Sequence, residues 1–243
     1  MLSLVIPTYN ERKSLEVLFP RLQSVADKLS IPVEYIVVDD NSPDGTAEYA
    51  AEYEMTGTAN LRVVKRAGKL GLASAVIEGW RASRGELLGV IDADGSHDVA
   101  IIPEMVEALL EGPAEVAVGS RYIAGGGMGD WPLSRQIISR VAVYLGSFLC
   151  PAKDVTSGFL ICRREILEGV TLDPIGFKIG LEVMVRGRYK TFTEVPYVFT
   201  DRQKGSSKLG LREIMAYLVQ LGRLISYRYR HPHKRRRWTR VVT

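Results

Sequence analysis

Two carboxylates, Asp92 and Asp94, stand two residues apart directly after the apolar run Leu87–Ile91. In extended geometry, side chains at i and i+2 point to the same side. Carboxylates held that close repel unless a cation lies beside them. Hard divalent ions such as Mg²⁺ or Mn²⁺ take carboxylate, water and phosphate oxygens in preference to nitrogen or sulfur. Such an ion, held by few protein ligands and a diphosphate, would neutralise the charge developing on a departing nucleoside diphosphate. An Asp-x-Asp pattern alone usually marks a solvated turn. Here its place after Gly89-Val90-Ile91, rather than in a polar stretch, favours chemistry. Ser96 is a candidate third ligand, and His97 reads as a surface or supporting group.

A scattered set of cations could serve the same chemistry. Arg121, Arg135, Lys178, Arg202 and Lys208 lie beside turns or glycines, where anionic ligands are commonly held. For any one of them alone, an ordinary exposed charge is the plainer reading. Gly205 and the two serines before Lys208 suggest a loop able to close over a bound diphosphate. Arg66 and Lys69, flanking Gly68, could act likewise.

The elements that must position these residues alternate. Buried strands are predicted over Leu2–Ile6, Val33–Val38, Leu61–Lys65, Leu87–Ile91 and Glu115–Val118. Helical apolar spacing falls between them, over Ser14–Leu29, Thr46–Tyr53, Leu72–Ser83 and Pro103–Leu110. Such alternation predicts an α/β fold with a mostly parallel sheet covered on both faces. Ligands of such sheets bind at the carboxyl ends of the strands. The polar clusters Thr8–Glu11, Asp39–Asp44 and Asp92–Asp94 each follow a strand, which argues for one shared site. Beyond Tyr122 the spacing predicts helices over Arg135–Phe148 and Leu181–Arg186, and strands over Phe159–Cys162 and Glu194–Phe199.

A chain of 243 residues, 46% of them apolar, is long enough to bury a full core. Cys150 and Cys162 form no metal or redox spacing and read as buried, reduced thiols suited to a cytoplasmic compartment. The net charge of +4 is uneven: eight Lys and Arg lie from Arg223 onward with no acid, so the preceding residues carry −4. No signal peptide is visible, and the most apolar long stretch, Ile214–Tyr227, is interrupted by Gln220 and Arg223, too soon to span a bilayer.

With these residues in view, the chain resembles the family-2 glycosyltransferases. The resemblance rests on Val5-Ile6-Pro7-Thr8-Tyr9-Asn10-Glu11, Val37 through Thr46, and Asp92-Ala93-Asp94. Within that family it is most similar to the dolichol-phosphate mannose synthases, through Lys69-Leu70-Gly71-Leu72, Gly119-Ser120-Arg121-Tyr122, Ser157-Gly158-Phe159, Gly176-Phe177-Lys178 and Arg202 through Lys208. The resemblance implies a nucleotide-binding GT-A fold and an inverting transfer of mannose from GDP-mannose to dolichyl or polyprenyl phosphate. It places Pro7, Tyr9, Glu11, Val38 and Asp40 at the donor's nucleoside. It places Asp92, Ala93 and Asp94 at metal and diphosphate, and Lys69, Arg121, Arg135, Lys178, Arg202 and Lys208 around phosphates. Asp94, Arg121, Arg135, Arg202 and Lys208 are the residues expected to bear on the reaction itself. Many relatives carry Gln where this chain has Ser96, whose hydroxyl can bind metal directly or through water. Some relatives also continue into transmembrane helices, and this chain is similar to the shorter forms. A membrane partner protein is compatible with that reading.

Two alternatives stay open: a UDP-sugar donor with the same acceptor, and a non-catalytic nucleotide-sugar-binding protein. A dinucleotide oxidoreductase lacks its glycine fingerprint here. A nucleic-acid binder would rest on the basic tail alone, so no nucleic-acid partner is expected. An inverting transfer to a hydroxyl needs a base, whereas a phosphate monoester is already ionised near neutral pH, with a second pKa of about 6. A lipid phosphate therefore suits a chain rich in cations and without an obvious base.

The expected organisation is a catalytic domain over residues 1–210 and an amphipathic helix with a basic tail over 211–243. Leu211, Ile214, Leu218, Leu221 and Ile225 would form the apolar side. Arg228, Arg230, Lys234–Arg237 and Trp238 would follow as an anchor on an anionic membrane surface. The protein is accordingly expected to be peripheral on the cytoplasmic face of a membrane.

Overall fold

The computed structural model describes residues 1–173, 175, 178–200, 210–231 and 238–241. Strands β1 (Leu2–Thr8) and β2 (Val33–Asp39) are buried along their whole length, as strands covered on both faces must be. β3 (Ala59–Lys65), β4 (Leu87–Val90), β5 (Val116–Ser120), β6 (Leu160–Arg163), β7 (Thr191–Pro196) and β8 (Thr239–Arg240) complete one sheet, in the order β3-β2-β1-β4-β6-β5-β7-β8. β6 runs antiparallel to both neighbours, and the other pairings are parallel. The mostly parallel α/β expectation holds.

Alternate side chains of each strand feed different cores. Leu2, Leu4 and Ile6 pack with α1 (Arg12–Ala26) and α4 (Ile102–Leu110), whereas Val5, Ile36 and Val38 pack beneath α3 (Leu72–Ala82). Gly79 lets α3 settle onto the sheet, because a Cβ there would lie 2.6 Å from Val5. α6 (Ile179–Arg186) and α7 (Leu211–Arg230) cover the same face farther along the sheet. The short α2 (Thr46–Glu52) closes the β2–β3 crossover. Truncating a fully buried ring such as Phe19 would cost about 3–5 kcal/mol.

Element types match the sequence reading, and boundaries shift by a few residues. The strand expected over Glu194–Phe199 ends at Pro196. Its alternation runs on because Tyr197 and Phe199 still pack on the core beyond the ladder. The terminal region differs more. α7 buries Tyr217, Gln220, Leu221 and Leu224; of the apolar side expected at a membrane surface, Ile214, Leu218 and Ile225 are exposed and Leu221 is buried. The sequence cannot say which of two apolar stripes meets the body. Trp238, expected in the basic anchor, packs on the body instead. Trp238 stacks on Tyr189 at 6.1 Å, and β8 adds to β7 through Thr239 N–H to Lys190 O and Val241 N–H to Phe192 O, both 2.8 Å. Lys234–Arg237 lie outside the described residues. Among the described residues, no helix is long and apolar enough to cross a membrane.

Candidate active site

The strand order turns back at β1, with β2 and β3 on one side and β4 on the other. At such a switch point, two loops diverge at the strands' carboxyl ends and leave a crevice. Here the crevice is open to solvent. Pro7, Tyr9 and Glu11 line it from β1, Asp40 from β2, Lys69 from the loop after β3, and Asp92, Ala93 and Asp94 from the turn after β4. Eight expected site residues thus meet in one cleft. Thr8, Gly71 and Leu72, from the same sequence motifs, join them, and so does Ala75, which no motif marked and which the packing of α3 brings in.

The cleft's loops are tied to one another. Asn10 and Asn41 both adopt left-handed backbone, with φ of 60° and 59°, a conformation Asn tolerates better than most residues. The Asn10 N–H donates to Ser42 Oγ at 2.9 Å, and Ser42 donates in turn to Asp39. The Glu11 N–H donates to Thr46 Oγ1 at 3.0 Å. Asp40 accepts from Arg66 and, at 2.8 Å, from the Gly71 N–H. Arg66 is buried and also meets Glu78 at 3.0 Å. It is therefore a support for Asp40 rather than a free phosphate-seeking cation. Lys69 does face the cleft, with Nζ 4.0 Å from the centre of the Tyr9 ring. Val38 does not reach it. Its side chain is fully buried in the sheet among Val5 and the α3 residues, so any nucleoside contact from Val38 would be made by backbone.

Asp92 and Asp94 lie beyond the end of β4, in a turn made possible by Gly95 at φ 76°. They meet the cleft through that turn and not as neighbours on an extended strand. The Ser96 N–H donates to Asp94 Oδ1 at 3.0 Å, and Ser96 Oγ is buried without a hydrogen-bond partner among the described residues. A buried hydroxyl without a partner is costly, and a hard cation beside the two carboxylates would give it one. His97 is not on the surface. It is buried and stacked on Phe159, with ring centres 4.9 Å apart. Its Nδ1 accepts the Asp92 N–H at 3.1 Å, which leaves the proton on Nε2, 3.8 Å from Asp92 Oδ2. Burial lowers the His97 pKa, against the opposing pull of Asp92 and Asp94, so the ring is a neutral prop for Asp92.

A second cluster lies at the ends of β5 and α6. Arg121 is buried, and its Nε and Nη2 engage the two oxygens of Asp154 at 2.7 and 2.8 Å. Burial alone would raise the Asp154 pKa, but the Arg121 bonds and charge hold it below the usual carboxylate range. Thr156 joins the cluster twice: its hydroxyl accepts from Arg121 Nη2 at 2.9 Å, and its carbonyl accepts from Lys178 Nζ at 3.0 Å. Burial, reinforced by Arg121, pushes the Lys178 ammonium down to about 8, against Asp154 and Asp92. Arg135, in the first turn of α5 (Leu133–Ser147), packs over the Trp131 ring at 3.8 Å. Arg202 and Lys208 fall outside the described residues. Sequence reasoning missed Asp154 as a residue with a role. Its place in an Asp-Val-Thr-Ser-Gly turn was the available signal, and nothing in the sequence pairs it with Arg121.

The glycosyl transferase family 2 model matches residues 3–171. The chain belongs to glycosyltransferase family 2. This family-2 chain is 42% identical to a dolichol-phosphate mannosyltransferase of Pyrococcus furiosus over 229 residues, 93% of its own length and 64% of that protein. It is 35% identical to a polyprenol monophosphomannose synthase of Mycolicibacterium smegmatis over 231 residues, covering 90% of this chain and 85% of that one. In structure, this family-2 fold is similar to glucosyl-3-phosphoglycerate synthase from Mycobacterium tuberculosis in complex with Mn²⁺, UDP and glucosyl-3-phosphoglycerate. That match has a TM-score of 0.67 and 22% identity, and covers 94% of this chain and 79% of that one.

Proposed function

We propose that this glycosyltransferase moves mannose from GDP-mannose to a dolichyl or polyprenyl phosphate at a membrane surface. The observation that carries the reading is the meeting of Asp40 with Asp92 and Asp94 in one cleft at the switch point. That cleft offers a carboxylate for a base's N–H groups and, farther in, a carboxylate pair for a metal-bound diphosphate. The names of the two curated relatives supply the sugar and the acceptor class, and the sequence resemblance supplies the guanine.

Asp92, Asp94 and Ser96 would hold Mg²⁺ or Mn²⁺. Among the described residues there is no group of three or more Asp, Glu, His or Cys for a metal. Such an ion would thus keep open positions for water and phosphate oxygens, as Mg²⁺ usually does. When bound, the ion stabilises charge on the departing GDP. The chain's own part is to fix the groups. His97 orients Asp92, the Ser96 N–H orients Asp94, and Arg66 with the Gly71 N–H holds Asp40.

On the acceptor side, the Arg121–Asp154 pair is internally neutral, and Lys178 and Arg135 are the cations proposed for the acceptor, with Arg202 and Lys208 as further candidates. These would hold the acceptor phosphate against the donor diphosphate, and its own oxygen would attack the anomeric carbon without a base. The lipid needs an apolar approach, and α5 has one. Only Gly146 of its residues is buried, while Leu133, Ile137, Val141, Tyr144 and Phe148 are all more than half exposed. Arg228 of α7 donates to the carbonyls of Phe148 and Leu149, and Tyr217 donates to Ala142 O, so the two helices are neighbours. An exposed apolar surface of this kind marks an interaction site, and a bilayer is the partner an isoprenoid substrate requires. The chain would then be peripheral on the cytoplasmic face, where nucleotide sugars are available.

The test is GDP release from GDP-mannose, against a panel of UDP-sugars, with and without polyprenyl phosphate and with Mn²⁺ or EDTA. Mannosylated lipid formed only with GDP-mannose, acceptor and metal together supports the reading. Turnover of a UDP-sugar alone would replace the donor. Full activity in excess EDTA would remove the metal.

A further inference from the structure

α7 is outwardly apolar, yet one polar side chain on it is completely buried. Gln220 has no exposed surface and sits among Tyr217, Leu221 and Leu224, the residues that seat the helix on the body. Its Nε2 donates to the backbone carbonyl of Lys178 at 3.0 Å. Its Oε1 has no hydrogen-bond partner among the described residues. Burying an amide with half its capacity unmet costs stability that a Leu or Met would not. The position therefore does something other than fill space.

What it grips is the residue from which a cation of the acceptor cluster projects. Lys178 precedes the first turn of α6, and its ammonium reaches Thr156 O beside Arg121 and Asp154. We infer that Gln220 is a positioning residue: it ties the lipid-facing helix α7 to the backbone of Lys178 and so fixes the Lys178 ammonium for the acceptor phosphate. The inference rests on the proposed transfer for its kinetic part. Its structural part, that α7 sets the state of Lys178, stands apart from any donor or acceptor.

The variants are Gln220→Met, which keeps the volume and loses the donor, and Gln220→Glu, whose ionised form also cannot donate to a carbonyl. Thermal melting and liposome binding serve as controls. The first readout needs no substrate: the ¹³Cε resonance of Lys178 is titrated in the full-length protein. The groups facing the ammonium are Arg121 at the end of β5, Asp154 in the turn before β6, and Asp92 after β4. The midpoint is expected near 8 in wild type and, in Gln220→Met, nearer the free-lysine value as the side chain escapes into water. The second readout is a double-mutant cycle. Gln220→Met lowers kcat toward polyprenyl phosphate about fivefold, with donor affinity unchanged, but lowers it no further in a Lys178→Met background. An unchanged Lys178 midpoint overturns the inference, as does an equal further loss in the Lys178→Met background. A wild type inactive with every donor sinks the transferase reading, and the titration still decides on Gln220.

Discussion

The region up to β4 and the region from β5 onward handle charge in opposite ways. In the first, the carboxylates Asp40, Asp92 and Asp94 all face one open cleft; Asp40 and Asp94 accept from backbone N–H groups, and Asp92 is held through its own N–H, which donates to His97. In the second, the cations are drawn inward. Arg121 is neutralised by Asp154, and the half-buried Lys178 has its ammonium pKa pulled down to about 8 by desolvation. The first region shows little apolar surface apart from Leu70 and Val17, whereas α5 and α7 expose a dozen or so large apolar side chains. A donor is a soluble dianion that needs a metal and a hydrophilic pocket. An acceptor that is half lipid needs a cation recessed beneath an apolar approach. Under the proposed transfer, the division of the molecule would follow the division of the substrates.

The comparison breaks most visibly at the carboxylate pair. Asp94→Ala is expected to lower turnover on the order of 10³-fold, since a metal-held leaving group is worth several kcal/mol. Its melting temperature should stay near wild type, and the loss is read as GDP release.

Asp154→Ala strikes the other region and should act on stability first. Leaving buried Arg121 unpaired costs about 3–5 kcal/mol, measured by urea unfolding. Because the folded Asp154 pKa lies below its unfolded value near 3.8, its contribution is complete at neutral pH. It fades as pH falls below about 4. A variant as stable as wild type would show that the Arg121 pair is not structural.

Val141→Glu tests the apolar approach. A charge on an exposed helix face leaves the fold intact, so melting should hold while binding to anionic liposomes drops about tenfold. Liposome binding equal to wild type would detach α5 from the membrane reading.

Lys178 sharpens the contrast through pH. Its folded pKa is depressed to about 8, so kcat/KM for the lipid phosphate should rise through about 6 as the acceptor ionises, stay level to about 8 and decline above it. Donor affinity should show no such limb.

The smallest effect belongs to Arg240. It lies 3.5 Å from Oε2 of the buried Glu194 and is itself more than a third exposed; because Glu194 keeps the Ser120 hydroxyl and the Lys153 and Asp154 N–H groups as donors, Arg240→Ala should cost about 1 kcal/mol. Removing all of β8 is a different matter, because Trp238 packs on Tyr189 and both neighbouring backbone N–H groups pair with β7.

The sequence by itself determined the alternation of strands and helices, because a buried parallel strand must be apolar throughout and its crossover helix must repeat every three or four residues. It also brought the polar clusters to one cleft, since clusters that follow buried parallel strands have one place to go. Tertiary structure decided what depends on partners far apart along the chain. Asp154 finds Arg121 33 residues away and Gln220 finds Lys178 42 away, and no local pattern encodes either. Arg66 and His97 turned inward for the same reason: neighbouring elements supplied Asp40 and Phe159. α7 carries two apolar stripes of similar strength, and only the body it packs against chose Tyr217, Leu221 and Leu224 and left Ile214, Leu218 and Ile225 to face outward. Periodicity fixes that a helix has a face; which face is buried depends on the surface that receives it.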